Sequence, residues 1–256
     1  MMIQKTMTIL VVCGLALASA PAVSAQGSAQ GSDKPERGFV SVAGGFQMAG
    51  STTDESGAFS LYDESGSFTG SRKIGNGLFF EVGGGMHITG KFSVGAAVSR
   101  FAKTSTVVFI AKIPHPLFFD TPRTGALTVN DLGHTETAVH IQAIYRVIER
   151  DKFDVSVLGG PSLFSVSEDT IGEISATETG SPYTAMTLSA TFGKASKRGI
   201  GANAGVNANY TLTRALSAGV IVRYTYASVN MPGTGGVTHD VRAGGVQIGL
   251  GLRYRF

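Results

Sequence analysis

The last segment of the chain, residues 246–256, alternates strictly between apolar side chains and small or polar ones. The apolar positions are Val246, Ile248, Leu250, Leu252, Tyr254 and Phe256. The intervening positions are Gln247, Gly249, Gly251, Arg253 and Arg255. Because the pleat of a β-strand sends successive side chains to opposite faces, this segment has one apolar and one polar face. Such a strand is typical of a closed transmembrane barrel, whose exterior contacts lipid and whose interior is polar.

Seven further segments alternate in the same way, so the sequence predicts an all-β fold, a closed antiparallel transmembrane barrel of eight strands. The eight segments lie near residues 39–48, 78–88, 92–102, 135–147, 153–166, 198–212, 216–229 and 241–256. Tight turns at 89–91, 148–152 and 213–214 alternate with long connections at 49–77, 103–134 and 167–197. This alternation predicts short periplasmic turns, long extracellular loops and both barrel ends in the periplasm.

Aromatic residues on the apolar faces fall into two bands near the strand ends. The band predicted at the periplasmic end is Phe92, Tyr145, Phe153, Tyr210, Tyr254 and Phe256. The band predicted at the outer end is Phe46, Phe80, Tyr224 and Tyr226. Strand alternation alone also fits a soluble β-sandwich, but two aromatic girdles favour a barrel that crosses a membrane.

The long connections contain strand-like segments of their own. Residues 106–111 and 125–129, and likewise 171–176 and 186–190, are rich in β-forming side chains, so we expect hairpins that extend the barrel strands beyond the membrane. Residues 51–74 form a further candidate hairpin, and the barrel has ten strands if its arms enter the wall.

The first 25 residues have the three parts of a secretory signal. Lys5 is the basic residue, residues 7–17 are apolar, and residues 23–25 form a small-residue cleavage site, so we expect cleavage near Ala25. Residues 26–37 then form a disordered periplasmic leader, and residues 38–256 form the barrel domain. The one cysteine, Cys13, lies in the signal, so the mature chain has no disulfide and no cysteine metal site.

With this signal, the short turns and the terminal run 250–256, the chain resembles the small outer-membrane β-barrel proteins of the OmpA/OmpX/OmpW-like group. The resemblance implies a place in the outer membrane of a Gram-negative cell envelope. It also implies that Leu252, Tyr254 and Phe256 form the terminal signal that the barrel assembly machinery reads. That family includes anchors, adhesins, small pores and a few lipid-modifying enzymes, so it transfers no catalytic residue to this chain.

Composition narrows the classes of function. The chain has 21 basic and 18 acidic residues, a weakly basic balance that gives no indication of nucleic-acid binding. Its 35 glycines, its lack of tryptophan and its 15% of charged residues fit an all-β membrane protein better than a soluble enzyme. We expect no cofactor and no metal.

The polar strand faces place a set of charged residues in the lumen. The predicted charge network is Glu81, Glu136, Arg146, Asp154, Arg223, Arg253 and Arg255. Eight strands enclose room only for side chains or one small ligand. We therefore expect the carboxylates to pair with the arginines and fill the lumen. In the alternative interpretation, this network is the gate of a narrow, porin-like ion path.

A second basic set lies near the outer rim. Its members are Arg100, Lys103, Lys194, Lys197 and Arg198. They are either solvated loop charges or contacts for lipopolysaccharide phosphates, which lysine and arginine bind by charge. Arg100 is the best candidate, because the alternation of side chains along its strand places it on the lipid face. A charge on that face is costly unless it lies at the membrane interface, where lipopolysaccharide phosphates are found.

Residues 113–119 contain two prolines and several apolar side chains in the second long loop. They either pack against neighbouring loops or contact a partner. We expect a non-catalytic surface protein with a plugged lumen, whose loops contact host or neighbouring cells or support membrane integrity. The alternatives are a narrow channel and a lipid A-modifying acyl hydrolase that uses His115, His134 or His239 with a serine.

Overall fold

The computed structural model describes residues 37–180, 183, 185–232 and 238–256, except for the side chains of Glu173 and Ile174. The predicted signal at 1–25 and the leader through residue 36 lie outside the described residues. Among the described residues, no helix is long and apolar enough to cross a membrane.

The described residues form ten strands. They are β1 (Gly38–Met48), β2 (Ser51–Leu61), β3 (Glu64–Ile74), β4 (Gly77–Thr89), β5 (Phe92–Ile113), β6 (Arg123–Arg150), β7 (Phe153–Glu178), β8 (Met186–Thr211), β9 (Leu216–Pro232) and β10 (Thr238–Arg255). The four strands β5 to β8 are much longer than the apolar alternation alone indicates, because they include the predicted hairpin arms.

Eight of these strands close into a ring of antiparallel neighbours in the order β1, β4, β5, β6, β7, β8, β9, β10. The ring closes where β10 pairs with β1, from Phe39 opposite Arg255 to Met48 opposite Val246. The β2–β3 hairpin stays outside the ring and pairs with β5 only through residues 67–70. The eight-stranded prediction is therefore confirmed, and the ten-stranded alternative is wrong.

The outward faces of the ring strands form a continuous apolar belt. Ile200 is 78% exposed and Leu250 70% exposed, and both predicted aromatic girdles lie on this outer surface. An apolar surface this large is unstable in water, so it contacts hydrocarbon. We define the membrane-spanning part of each strand by this belt, which covers residues 92–98 of β5 and 139–147 of β6. Barrels of this kind are the β-structures of bacterial outer membranes, so the fold places the chain there.

Beyond the belt, the distal parts of β5 to β8 and the β2–β3 hairpin together form an extracellular projection. The distal arms of β5 and β6 pair from Val107 opposite Val129 to Ile113 opposite Arg123. The arms of β7 and β8 pair up to Glu178 opposite Met186. These pairings confirm the predicted hairpins in both long loops, and the β2–β3 pairing confirms the hairpin in the first loop.

The projection has its own apolar core. Its buried members are Phe68, Val107, Phe109, Ala111, Ile113, Val129, Leu132 and Ile171. A β-bulge directs β6 into this core: Ser105 pairs with Leu132 and Val107 with Val129, so one residue of β5 between these pairs opposes two of β6, Asn130 and Asp131. Asp131 in the bulge has a φ of 59°. The extra residue reverses the side-chain parity of β6, so that Val129 and Leu132 both point inward.

Candidate functional site: the lumen and the extracellular projection

An ion pair between Glu81 of β4 and Arg223 of β9 occupies the middle of the lumen. The Nε and Nη2 atoms of Arg223 also donate to Oε1 of Gln247, at 3.0 and 2.5 Å. Arg223 has no exposed surface and Glu81 is only 6% exposed. A buried arginine is tolerated only when it is paired and hydrogen-bonded, so these partners are required by its position.

A chain of hydrogen bonds connects this pair to the outer part of the lumen. Gln247 Nε2 donates to Gln47 Oε1 at 2.7 Å, and Gln47 Nε2 donates to Glu136 Oε2 at 2.9 Å. The same Glu136 oxygen accepts the backbone N–H of Gly244 at 2.9 Å. Gly244 has a φ of 98°, and a Cβ there would lie 2.3 Å from the Thr225 carbonyl oxygen. Only glycine fits this position, which turns a backbone donor into the lumen.

His134 ends this chain between two carboxylates, beyond the membrane-spanning part of β6. Its Nε2 lies 2.8 Å from Glu136 and its Nδ1 lies 2.6 Å from Glu168. Burial lowers the pKa of His134, but the hydrogen bonds to Glu136 and Glu168 outweigh burial and raise the pKa to about 9. The imidazole is therefore charged at neutral pH. Glu136 thus has a histidine as its charged partner, where we expected an arginine.

The periplasmic end of the lumen contains a separate group of contacts. Arg255 donates to Asp154 at 2.8 Å, and Asn209 donates to the other oxygen of Asp154 at 2.8 Å. Arg253 lies over the ring of Phe39, 4.4 Å from its centroid. A cavity of about 40 Å³ next to Glu81 and Arg253 has room for a few water molecules.

Arg146 forms its ion pair with Glu149 at 2.5 Å, near the turn between β6 and β7. We expected it to pair with a lumen carboxylate. Glu149 was not in the predicted set, because the residue lies beyond the alternating segment of β6. This contact shows that a long side chain near a strand end can reach a turn residue.

The contacts of His134, His115 and His140 do not form a series of serine, histidine and carboxylate. Both ring nitrogens of His134 face carboxylates, and Nδ1 of His115 accepts the backbone N–H of Leu117 at 3.1 Å. His140 contacts Ser99 at 2.9 Å and Ser162 at 2.8 Å, so neither nitrogen is left for the carboxylate of a triad. No group of three or more metal-ligating side chains occurs in the described part of the chain.

The predicted lipopolysaccharide contacts divide into two groups. Arg100 and Arg198 face outward on one rung, which crosses β5 to β8 through Thr137 and Ser165. Three strand spacings of about 4.8 Å separate them by about 14 Å. Lys194 is exposed and lies 4.0 Å from Asp169. Lys103 and Lys197 are also exposed, but each lies opposite a residue whose side chain points to the interior, His134 and Val166.

Arg123 joins three parts of the projection at its far end. Its Nη1 and Nη2 donate to the two carboxylate oxygens of Glu178 at 2.8 and 2.5 Å, and Nη2 also donates to the Pro114 carbonyl at 3.1 Å. The Tyr62 hydroxyl from the β2–β3 turn donates to Glu178 at 3.2 Å. The hydrogen bonds from Arg123 lower the pKa of the Glu178 carboxyl.

Residues 113–119 separate into a buried and an exposed part. Ile113 has no exposed surface and belongs to the core of the projection. Leu117, Phe118 and Phe119 are 65%, 62% and 81% exposed. The interpretation that these residues pack against neighbouring loops is wrong for the last three. We call residues 114–122, which join β5 to β6, the tip loop.

No family model and no curated protein matches this chain. Three solved structures with a similar fold are Neisserial surface protein A, OprG from Pseudomonas aeruginosa and the outer-membrane protease OmpT from Escherichia coli. Their identities are 14%, 12% and 8%, and their TM-scores are 0.40, 0.47 and 0.46. The matches cover 86%, 86% and 87% of this chain and 97%, 97% and 98% of those chains. The membrane assignment rests on the exposed belt and the polar lumen of this chain.

Proposed function

We propose that this protein is a non-catalytic outer-membrane barrel that holds a rigid extracellular projection for contact with other molecules or for membrane integrity. The observation that carries the proposal is the continuity of strands β5 to β8 from the membrane into a projection with its own core. Rigid strands that hold a surface loop at a fixed place suit recognition, because little freedom is lost on binding.

The filled lumen argues for the surface function over the porin-like alternative. Hydrogen bonds run without a break from Arg223 to His134, through Gln247, Gln47 and Glu136. An ion path requires these partners to separate, and separation leaves Arg223 as an unpaired buried charge. Breaking a buried pair in this way costs about 3–5 kcal/mol, so thermal motion opens it rarely.

Single-channel recording of the refolded mature protein in a planar bilayer tests the closed lumen. We expect no discrete openings from the wild type, from Glu81→Ala or from Arg223→Ala. Glu149→Ala is the control, because it removes a carboxylate near the turn and outside the hydrogen-bond chain. Openings in the wild type that change in the two lumen variants, but not in the control, favour the channel and overturn the proposal.

Trimming the projection tests the surface function. Replacing residues 106–131 with an Asn-Gly turn, and residues 172–191 in the same way, shortens two hairpins at paired positions and leaves the membrane belt intact. We expect cells that display the trimmed barrel to lose attachment to other cells or to become permeable to detergents. Attachment and permeability equal to the wild type contradict the function.

Lipopolysaccharide is the partner that we propose for the outward rung of Arg100 and Arg198. Their separation of about 14 Å suits two phosphate groups on the outer leaflet, and arginine binds phosphate with a bidentate fork. Arg100→Ala and Arg198→Ala should each lower the amount of lipopolysaccharide that co-purifies. Lys103→Ala serves as a control, because the position of Lys103 along β5 directs its side chain to the interior and away from lipid. If the same amount of lipopolysaccharide co-purifies with the wild type and with all three variants, the assignment of Arg100 and Arg198 as its contacts is wrong.

We also propose that the barrel assembly machinery recognises Leu252, Tyr254 and Phe256. Leu252 and Tyr254 are exposed on the outer face of β10, and Phe256 is exposed directly after it. Phe256 also exchanges backbone hydrogen bonds with Gly38 at 3.0 and 3.1 Å, at the seam that closes the ring. A Phe256→Ala variant should insert more slowly in vivo while refolding normally in detergent. Unchanged insertion rates in cells contradict this role.

A further inference from the structure

A groove of about 610 Å³ crosses the outer face of the belt, from β7 over β8, β9, β10 and β1 to β4. It begins beside Phe153 and Tyr210 of the periplasmic girdle and ends beside Phe80 of the outer girdle. Pockets that hold small ligands commonly enclose about 300–1,000 Å³. The groove therefore has the size of a binding site, although it lies on the wall of the barrel and not in the lumen.

Small outward residues form the floor of this groove between larger ones. Along one rung, Gly44 lies between Phe80 and Leu250. On the next rung toward the periplasm, Ala218 lies beside Tyr210. A Cβ atom added to Gly44 would lie 3.7 Å from the nearest atom of a neighbouring strand, which is an ordinary contact. A larger side chain at this position would therefore extend into the groove without displacing the wall.

The groove offers mostly hydrocarbon to an occupant. Its polar side chains are Tyr210, at the periplasmic end, and Asn209, whose amide donates to Asp154 in the lumen at 2.8 Å. An empty groove inside a bilayer would leave its lining without dispersion contacts. The wall of a second barrel is convex and would cover the groove without filling it, whereas an acyl chain is narrow and flexible enough to lie along it. The shape and the lining therefore favour a lipid chain.

Two basic residues lie at the periplasmic end of the groove, in adjacent turns. The carbonyl of Lys152 accepts the N–H of Thr211 at 2.7 Å, close to the turn that contains Arg214. The side chains of Lys152 and Arg214 are both exposed. Asp151 is the acidic residue of these turns, while Glu149 has its own ion pair. The two turns thus carry a net positive charge, which attracts anionic headgroups at a membrane surface.

We propose that this groove binds an acyl chain of an anionic phospholipid of the periplasmic leaflet, whose phosphate contacts Lys152 and Arg214. Lysine and arginine bind phosphate by charge, and arginine also by a bidentate fork. Each basic residue near a membrane surface favours anionic lipid by about fivefold, and Asp151 offsets one of the two, so we expect a preference of about fivefold. The site goes beyond the proposed surface function and is independent of the projection.

The lack of tryptophan in the chain allows the lipid to be located. Tyr210→Trp places a fluorophore in the groove. Tyr145→Trp is the matched control, because Tyr145 lies in the same girdle on β6 and is 49% exposed, whereas Tyr210 is 50% exposed. Both variants are reconstituted in phosphatidylcholine vesicles with a small fraction of brominated phosphatidylglycerol, which quenches tryptophan on contact. We expect quenching several times stronger at position 210, whereas the same fraction of brominated phosphatidylcholine should quench both positions equally.

Native mass spectrometry of the refolded barrel, with equal amounts of phosphatidylglycerol and phosphatidylcholine, tests the groove and the turns separately. Gly44→Leu fills the groove and should reduce the retained phosphatidylglycerol severalfold. Ala96→Leu is its control, because Ala96 is exposed on the outer face of β5, outside the groove. Lys152→Gln/Arg214→Gln should retain the two lipids equally, and Lys91→Gln, in the β4–β5 turn, should keep the preference.

Circular dichroism verifies that each variant folds, and Ala218→Leu fills the groove from β9 if Gly44→Leu does not fold. Equal quenching at positions 210 and 145, or equal retention by the wild type and the groove-filling variant, overturns the inference. An unchanged preference in Lys152→Gln/Arg214→Gln contradicts the headgroup contact and also overturns it. If quenching at position 210 alone falls as more barrels are packed into each vesicle, a second copy covers the groove and the lipid inference is wrong.

Discussion

Strand β5 lines two interiors of opposite character. From the belt to its rim the inward side chains of β5 include Ser93 and Ser99, whereas in the projection they are Val107, Phe109, Ala111 and Ile113. Strand β6 changes in the same way, from Gln142, His140 and Glu136 to Leu132 and Val129. The difference follows from the surroundings. Inside the bilayer lipid covers the apolar exterior, so the interior can hold many polar side chains beside small apolar clusters such as Phe39, Ile144 and Leu158, whereas the projection stands in water and must bury apolar surface.

The largest expected effect comes from breaking the lumen pair. Arg223→Ala leaves Glu81 without its charged partner, and should lower the free energy of unfolding by about 3–5 kcal/mol. Urea unfolding of the refolded barrel in detergent measures this. A Glu81→Leu/Arg223→Leu variant should lose much less, because it removes both buried charges together. Equal losses in the single and double variants contradict the electrostatic explanation.

Next in size is a cavity in the projection. Ile113→Ala should destabilise the projection by about 2–4 kcal/mol, since Ile113 is fully buried. Hydrogen exchange should show faster opening in the distal arms of β5 and β6, while the belt residues stay protected. Ile110→Ala is the control, because Ile110 is 54% exposed, and it should change the stability by less than about 0.5 kcal/mol. Uniform loss of protection in both regions means that they do not open separately.

The junction between the two regions should depend on pH. The pKa of His134 is raised from 6.5 to about 9, so its contribution is fully present below pH 6.5 and is lost as the pH rises through 9. We expect about 1–3 kcal/mol of stability to disappear over that interval. His134→Gln should flatten this part of the profile. The charged groups that surround His134 are Glu136, Glu168 and His239. A wild type that is as stable at pH 10 as at pH 6 contradicts a charged His134 imidazole.

The smallest effect is expected at the far end of the projection. Arg123→Lys keeps the charge but loses the two-pronged contact with Glu178, because an ammonium cannot form a fork. We expect a loss of about 1 kcal/mol, confined to the projection. Limited proteolysis near residues 114–122 measures it, with Lys112→Arg as a charge-conserving control. Cleavage at the wild-type rate indicates that the fork does not stabilise the loop.

The alternation of side chains by itself determined the barrel, the two faces of its eight belt segments and the three candidate hairpins beyond the membrane, and it left eight or ten strands open. These features are local, since a strand's two faces depend only on the parity of its own residues. Only the tertiary structure decided which charges meet. It paired Glu136 with His134, sent Arg146 to Glu149, turned the Gly244 N–H into the lumen and kept β2 and β3 out of the wall. Those outcomes depend on the closing register and on bulges such as Asp131, which bring together residues far apart in sequence.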